Sequence, residues 1–572
     1  MKRLLIFLKD YKKECILAPL FKMLEAIFEL FVPLVVASIV DRGIAASDLG
    51  HIGKMCLVLL LLASVGLASS LTAQYFAAKA AVGFSTKLRH SVFEHIGSLS
   101  YSQIDRLKTP TLITRMTSDI NQAQAGVNMF LRLFLRSPFI VFGAMIMAFT
   151  VNTKEALIFV VTIPVLTAVV VGIMAFTMPM YKKVQQRLDA VLNRTSENLE
   201  GVRVIRAFRH EKQETDAFRE ENEDLNLLQK SVGRISALLN PVTFIIINAA
   251  TIILLYTGAV KVDEAVITRG ELIALVNYMS QILIELIKLA NLIVTISRAL
   301  ACADRVADIL DITPGMKDGK TPLPGTSADI PAVEFDNVSL TYAGSAAESL
   351  SGISFKLMPG ESLGIIGGTG SGKTSVVSLI PRFYDATKGT IKINGMDIKD
   401  AAISSLRQSI GIVPQSAVLF SGTVADNLRW GKADATDEDM KEALRTAQAY
   451  DFVMADPNGL SRKITEGGKN LSGGQRQRLT IARALIMEPE ILILDDSASA
   501  LDMATDARLR QAIASLEGDP AVFIVSQRAS SVMGCDRIMV MDNGCAAAIG
   551  THEELINSCG IYREIYETQF GA

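Results

Sequence analysis

Three stretches of this sequence, 55–78, 156–181 and 235–260, contain no charged side chain. A helix rises about 1.5 Å per residue, so each stretch is long enough to cross a hydrocarbon core of about 30 Å. Buried helices of water-soluble proteins rarely run beyond about 20 residues without a charge. Three weaker runs, 17–40, 137–153 and 272–295, are shorter or carry a few charges. The expected total is six spans. Composition agrees, with 50% hydrophobic and 20% charged residues, the latter below the roughly 25% usual for soluble proteins.

The links between the runs are short at 41–52, 152–155 and 261–271 and long at 79–136 and 182–234. The long links hold Lys87, Arg89, Arg106, Lys108 and Arg115, then Lys182, Lys183, Arg187, Arg203, Arg206 and Arg209. Basic residues beside spans mark the cytoplasmic side. The expectation is therefore a multi-pass protein of the cytoplasmic membrane with both termini inside. The charged, proline-free segment 184–228 reads as helix continuing into water. Residues 1–13, with Lys2, Arg3, Lys9, Lys12 and Lys13, read as a basic lead-in to the first span. No small-residue cleavage pattern of a signal peptide follows them.

A net charge of −2 gives no basic field, which argues against nucleic acid as a partner. The six cysteines have neither paired C-x-x-C spacing nor a histidine cluster nearby, so neither a zinc site nor a disulfide framework is expected.

A charged helical stretch, 297–310, leads into a link, 311–331, bearing Pro314, Gly315, Gly319, Pro322, Pro324 and Gly325. Beyond it, short β-branched strands at 332–342, 362–367, 491–495 and 521–526 alternate with helical stretches, the pattern of an α/β fold. The predicted architecture is a membrane all-α domain of six helices (1–300), a linker (301–331) and an α/β P-loop ATPase domain (332–572).

Gly367-Gly368-Thr369-Gly370-Ser371-Gly372-Lys373-Thr374 fits G-x-x-x-x-G-K-[ST] between an apolar strand and a helical stretch that begins at Ser375, the context a phosphate loop requires. Its backbone N–H groups would close on phosphate oxygens, Lys373 would neutralise the outer phosphates, and Thr374 would offer a hydroxyl to Mg²⁺. Asp495, ending the apolar run 491–494, is a second candidate Mg²⁺ partner.

Between these motifs lies Leu471-Ser472-Gly473-Gly474-Gln475. With the phosphate loop and Asp495 it makes the chain resemble the ABC transporters, whose signature is LSGGQ. The same residues also read as a helix start capped by Ser472. The resemblance covers essentially the whole chain and looks like the six-helix exporter type fused to its ATPase. It implies ATP and Mg²⁺ as cofactors, an adenine-stacking ring at Tyr342, a magnesium-sensing Gln415, and a subunit-crossing loop with Asp502. It implies, too, that residues 471–475 grip ATP held by a second half-transporter. Intracellular turns near 98–105 and 206–211 are expected to dock on ATPase domains.

Two positions depart from the family pattern. Where the family places Glu to polarise the attacking water, this chain has Asp496; where it places His, this chain has Gln527. The shorter carboxylate would miss the water by about 1.5 Å, and such misplacement can cost about 10²-fold in rate. Gln527 donates a hydrogen bond but carries no charge. The signature is intact. The chain therefore resembles the degenerate-site subunit of bacterial heterodimeric multidrug or lipid exporters, paired with a different chain carrying Glu and His. The alternatives are a homodimeric exporter and a nucleotide-binding regulatory subunit with little hydrolysis. The expected cargo is a hydrophobic small molecule, lipid or peptide. Glu25 and Glu29 are candidate attractors of a cationic amphiphile, although Lys22 and Lys288 stand ready to pair with Glu25 and Glu285.

Overall fold

The computed structural model describes residues 2–571, with side chains from Leu4 onward. The chain divides into two compact units: one comprises residues up to Gly97 and Pro110–Ile312, the other Ser98–Thr109 and residues from Thr313 on.

Among its described residues the first unit consists of helices joined by short turns, with no strand. Six helical segments among the described residues are long and apolar enough to cross a membrane: Leu4–Ile44, Leu49–Ser98, Thr109–Val151, Thr153–Glu200, Glu211–Asp263 and Arg269–Leu310. Each contains one of the six expected runs, except that residues 152 and 153 fall outside the third because Asn152 caps the fourth, its side chain accepting from Lys154 and Glu155 N–H groups. The segments far exceed the bilayer: the 50 residues of Leu49–Ser98 extend about 75 Å. Beyond the apolar part, Arg194 pairs with Glu214 at 3.2 Å and Glu221 at 2.8 Å, tying the fourth segment to the fifth.

Small residues set the spacing of this bundle. Ala26, Ala37, Ala144, Ala148, Ala156, Ala250 and Ala274 are buried with Leu30, Phe159 and Tyr278, as expected where helices associate by close packing rather than by the hydrophobic effect. Tyr278 donates its hydroxyl to the Leu30 carbonyl at 2.7 Å. Leu57, Leu60, Leu67 and Leu71 are exposed on the second segment, which suits hydrocarbon as the surrounding solvent.

The expected linker begins too early. Residues 301–310 are the last turns of the helix Arg269–Leu310, because Cys302, Ala303, Val306 and Ala307 stay on its buried face. The irregular link starts after Leu310. The turns expected near 98–105 and 206–211 overlap two short helices, Tyr101–Leu107 and Val202–Ala207.

The second unit is α/β. Its strands are β1 (Val333–Leu340), β2 (Leu350–Leu357), β3 (Ser362–Gly367), β4 (Lys388–Ile393), β5 (Met396–Asp397), β6 (Ile410–Val413), β7 (Gly422–Thr423), β8 (Lys463–Ile464), β9 (Ile491–Asp495), β10 (Ala521–Val525), β11 (Arg537–Asp542) and β12 (Cys545–Gly550). An antiparallel sheet runs β2-β1-β4-β5, and a larger one runs β12-β11-β3-β10-β9-β6. Within the larger sheet β11, β3, β10, β9 and β6 are mutually parallel. Their near-continuous apolar runs fit strands covered on both faces, and β9 is buried from end to end.

The short helix Tyr101–Leu107 belongs to this unit. Tyr101 lies 4.6 Å from the Phe383 ring, and Tyr384 donates to Asp105 at 2.7 Å.

Candidate nucleotide site

The parallel strands β3, β9 and β10 end at one edge of the sheet, where loops converge on a cleft of about 520 Å³. Such an edge is where open α/β sheets hold ligands. The loop after β3 forms its floor. Gly370 and Gly372 have φ of +81° and +99°, a left-handed backbone that glycine adopts without penalty. A Cβ at Gly368 or Gly370 would meet no atom within 4 Å, whereas at Gly367 it would lie 2.2 Å from the Met541 carbonyl. The loop is thus clamped on its inner side and open toward the cleft, with Thr369 and Gly370 lining it.

Lys373 opens the helix Lys373–Leu379 and folds back over the loop, donating to the carbonyls of Gly367 at 2.9 Å and Gly368 at 2.6 Å. Burial pushes its ammonium below the usual lysine range, opposed by the carboxylates of Asp496 and Asp495. Ser371 is buried beneath it. Thr374 Oγ1 donates to Asp495 Oδ1 at 3.1 Å. Burial pushes the Asp495 carboxyl above the ordinary aspartate range, against the Thr374 hydrogen bond.

Asp496 and Gln415 face each other across the cleft, Gln415 Nε2 lying 3.4 Å from Asp496 Oδ2. The Asp496 backbone is in the left-handed region, φ +48°. It is held there by its N–H to the Val525 carbonyl at 2.9 Å and by the Ser499 hydroxyl donating to its carbonyl at 2.8 Å. Gln527 lines the cleft and is exposed.

Tyr342, just beyond β1, also lines the cleft. Its hydroxyl donates to Ser375 at 2.9 Å, and its ring meets Tyr384 edge-on at 5.0 Å.

The signature residues are elsewhere. Leu471 is buried and Ser472 caps the helix Gly473–Leu485 in a reciprocal pair with Gln475: Gln475 N–H donates to the Ser472 hydroxyl at 3.3 Å, and Ser472 N–H donates to Gln475 Oε1 at 2.9 Å. A Cβ at Gly473 meets nothing within 4 Å, while Gly474 packs on the Ala500 carbonyl. Asp502 caps the helix Met503–Ala514. Neither Asp502 nor any of residues 471–475 lines the cleft.

Five contributing residues escape sequence reasoning. Asn543 and Gly544, after β11, and Glu348 and Ser349, before β2, complete the cleft wall, brought there by sheet topology. Gln569, in the last helix, accepts from Ala529 N–H and donates to the Gln527 carbonyl, each at 2.8 Å. No local pattern marks any of them.

The donor set fits a magnesium nucleotide. An open loop of N–H groups, a buried lysine and the Thr374–Asp495 oxygen pair suit phosphates and a hard cation. Among the described residues no group of three His, Cys, Asp or Glu could hold a metal by itself, so phosphate oxygens and water would complete the shell.

A membrane helical bundle joined to a phosphate-loop ATPase defines a nucleotide-driven membrane protein. The profile of the ABC transporter transmembrane region matches residues 15–286, and that of the ABC transporter ATPase matches residues 350–499. An uncharacterised ABC transporter ATP-binding protein of Mycobacterium bovis is 35% identical over 98% of this chain and 97% of its own length. An ATP-dependent lipid A-core flippase of Desulfotalea psychrophila is 34% identical over 84% of each chain. The fold matches a bacterial Atm1-family ABC exporter solved with ATP bound, at TM-score 0.80 and 23% identity over 98% of both chains. The chain belongs to the ABC transporter family, as an exporter-type half-transporter whose ATPase domain binds nucleotide and couples ATP hydrolysis to transport.

Proposed function

We propose that this chain is the weakly hydrolysing half of a heterodimeric exporter of the bacterial cytoplasmic membrane, carrying a hydrophobic or amphipathic solute of drug-like or lipid-like kind. One observation carries the asymmetry: Asp496 occupies the cleft on a pinned backbone. In this reading those two hydrogen bonds hold the main chain against the advance that would make up for the absent methylene, and the carboxylate falls short of the water that a glutamate would orient.

In this reading the phosphate-loop N–H groups and Lys373 hold the phosphates, Lys373 exchanging loop carbonyls for phosphate oxygens. Tyr342 stacks on the adenine, giving up its bond to Ser375. Thr374, Gln415 and Asp495 hold Mg²⁺, which when bound neutralises charge on the outer phosphates. Gln527 donates a neutral hydrogen bond where a histidine would add positive charge. ATP accordingly stays bound and is hydrolysed slowly.

The exposed helix start at Ser472 and Gly473 serves the partner's ATP, because its N–H groups and the helix dipole favour phosphate. A partner with Glu and His at the matching positions then provides the main hydrolytic site. The basic long links support cytoplasmic termini. The name of the Desulfotalea relative supports a lipid-like cargo.

The test is a contrast of two variants in the complex purified from its native membrane. Ser472→Ala in this chain, which removes the hydroxyl that caps the helix start and stands beside its N–H groups, is expected to cut hydrolysis by the pair about 10²-fold, the scale on which losing one transition-state donor acts, whereas Asp496→Asn changes it less than about twofold. The reverse order would establish a homodimer or a main site on this chain.

A further inference from the structure

Six charged side chains, three of each sign, meet within the apolar part of the helical bundle. Arg136, at the start of the third run, is buried and pairs through Nη1 with Glu285 of the sixth segment and through Nη2 with Glu29 of the first, both at 2.7 Å. Lys288 shares Glu285 Oε1 at 2.8 Å, and Ser137 donates to Glu285 Oε2 at 2.8 Å. Lys22 pairs with Glu25 at 2.5 Å and donates to Ser70 at 3.0 Å. Glu25 and Glu29 thus do not present the net negative site that attracts a cation. Each already has a basic partner.

Charge at this depth is costly and is kept for a purpose or relieved by water. Well-packed apolar residues stabilise such a bundle at least as well as buried ion pairs do. Two members of the network reach the surface of the bundle: the side chains of Glu29 and Lys288 are 39% and 41% exposed. Between them Arg136 and Glu285, 7% and 3% exposed, cancel. What remains at the surface is one negative and one positive group. Of the buried polar atoms that have no partner among the described residues, two belong to this region, the Arg136 Nε–H donor and the Gln281 Oε1 acceptor, the latter one turn from Glu285. Phe28 and Val32, half-buried, share a helix face with Glu25 and Glu29 by their i, i+3, i+4, i+7 spacing, and Ile284 is exposed beside Lys288.

We propose that Glu29, Arg136 and Lys288 form a binding site for the head group of a zwitterionic amphiphile, its cation on Glu29, its anion on Lys288 and Arg136, and its chain along Phe28 and Val32. The proposal rests on the export reading and names its cargo class. The six charges already sum to zero, so a ligand of one sign adds an uncompensated charge to the network, whereas a ligand of both signs adds none.

The test uses the native complex in lipid nanodiscs and three probes of equal chain length below their micelle concentrations: dodecyl betaine, dodecyltrimethylammonium and dodecanoate. The betaine is expected to bind at least about tenfold more tightly than either singly charged probe, and Glu29→Gln and Lys288→Met each to cost it about tenfold, the scale of one ion contact. ATP retention at Lys373, read in the same samples, reports folding and the nucleotide reading separately. If a neutral variant loses ATP as well, Glu29→Asp and Lys288→Arg decide, with betaine binding retained if the charges recognise it. Tighter binding of the ammonium probe, betaine binding unchanged in neutral variants that keep ATP, or its equal loss in the charge-preserving pair would overturn the proposal.

Discussion

A single methylene separates aspartate from glutamate, and its consequence depends on what holds the residue. At Asp496 the main chain is in the left-handed region, its N–H bonded to the Val525 carbonyl and its carbonyl accepting from the Ser499 hydroxyl, so the proposed shortfall of the side chain rests on how firmly these bonds hold the backbone. Environment governs the cysteines in the same way. Burial pushes the Cys535 thiol up to about 12, while Cys545 is exposed. A raised pKa means less thiolate at pH 8, so iodoacetamide is expected to modify Cys545 well before Cys535, as read by peptide mass spectrometry. Equal rates would contradict the burial of Cys535. The sequence is readable at this scale when a residue stands inside a motif, as Lys373 and Thr374 do. It is silent on Arg136, which looks like an ordinary basic residue at the end of a long link until the first and sixth segments bring carboxylates to it.

Among the elements, the helix Tyr101–Leu107 is held by aromatic residues of its own unit. Tyr101 packs on Phe383 and lies 6.3 Å from the Tyr384 ring, and the Tyr384 hydroxyl reaches Asp105. Tyr384 also meets Tyr342 edge-on, so the ring at the nucleotide cleft and the docked helix share one neighbour. Removing the hydroxyl with Tyr384→Phe costs a hydrogen bond to a charged acceptor, about 1.5–3 kcal/mol. Proteolytic cleavage within 98–109 is expected to quicken severalfold; unchanged protection would show that the aromatic packing alone holds the segment. The helix at Ser472 supports two readings at once, since its capping pair with Gln475 is an ordinary helix start whose glycines leave N–H groups accessible. Strands β3 and β9 matched their expected bounds because buried parallel strands are continuous apolar runs. The boundary drawn at residue 300 falls inside the sixth segment, whose helix ends at Leu310, where the helical stretch 297–310 gives way to the link read at 311–331.

For the molecule as a whole, two textures of sequence become two units of structure: uncharged runs become a bundle spaced by alanines, and alternating β-branched strands become a sheet with a nucleotide cleft at its edge. Both are legible because each follows from a period or a run length. What sequence leaves hidden comes from distant segments meeting, as when Gln569 fixes the Gln527 loop or Asn543 closes the cleft. The proposed ATP site binds firmly and hydrolyses slowly. Steady-state hydrolysis by the purified chain alone in lipid, set beside that of the Asp496→Glu, Gln527→His double variant, tests it directly. With ATP retained by both, the double variant is expected to turn over about 10²-fold faster; brisk hydrolysis by the unaltered chain, matching the variant, would contradict it.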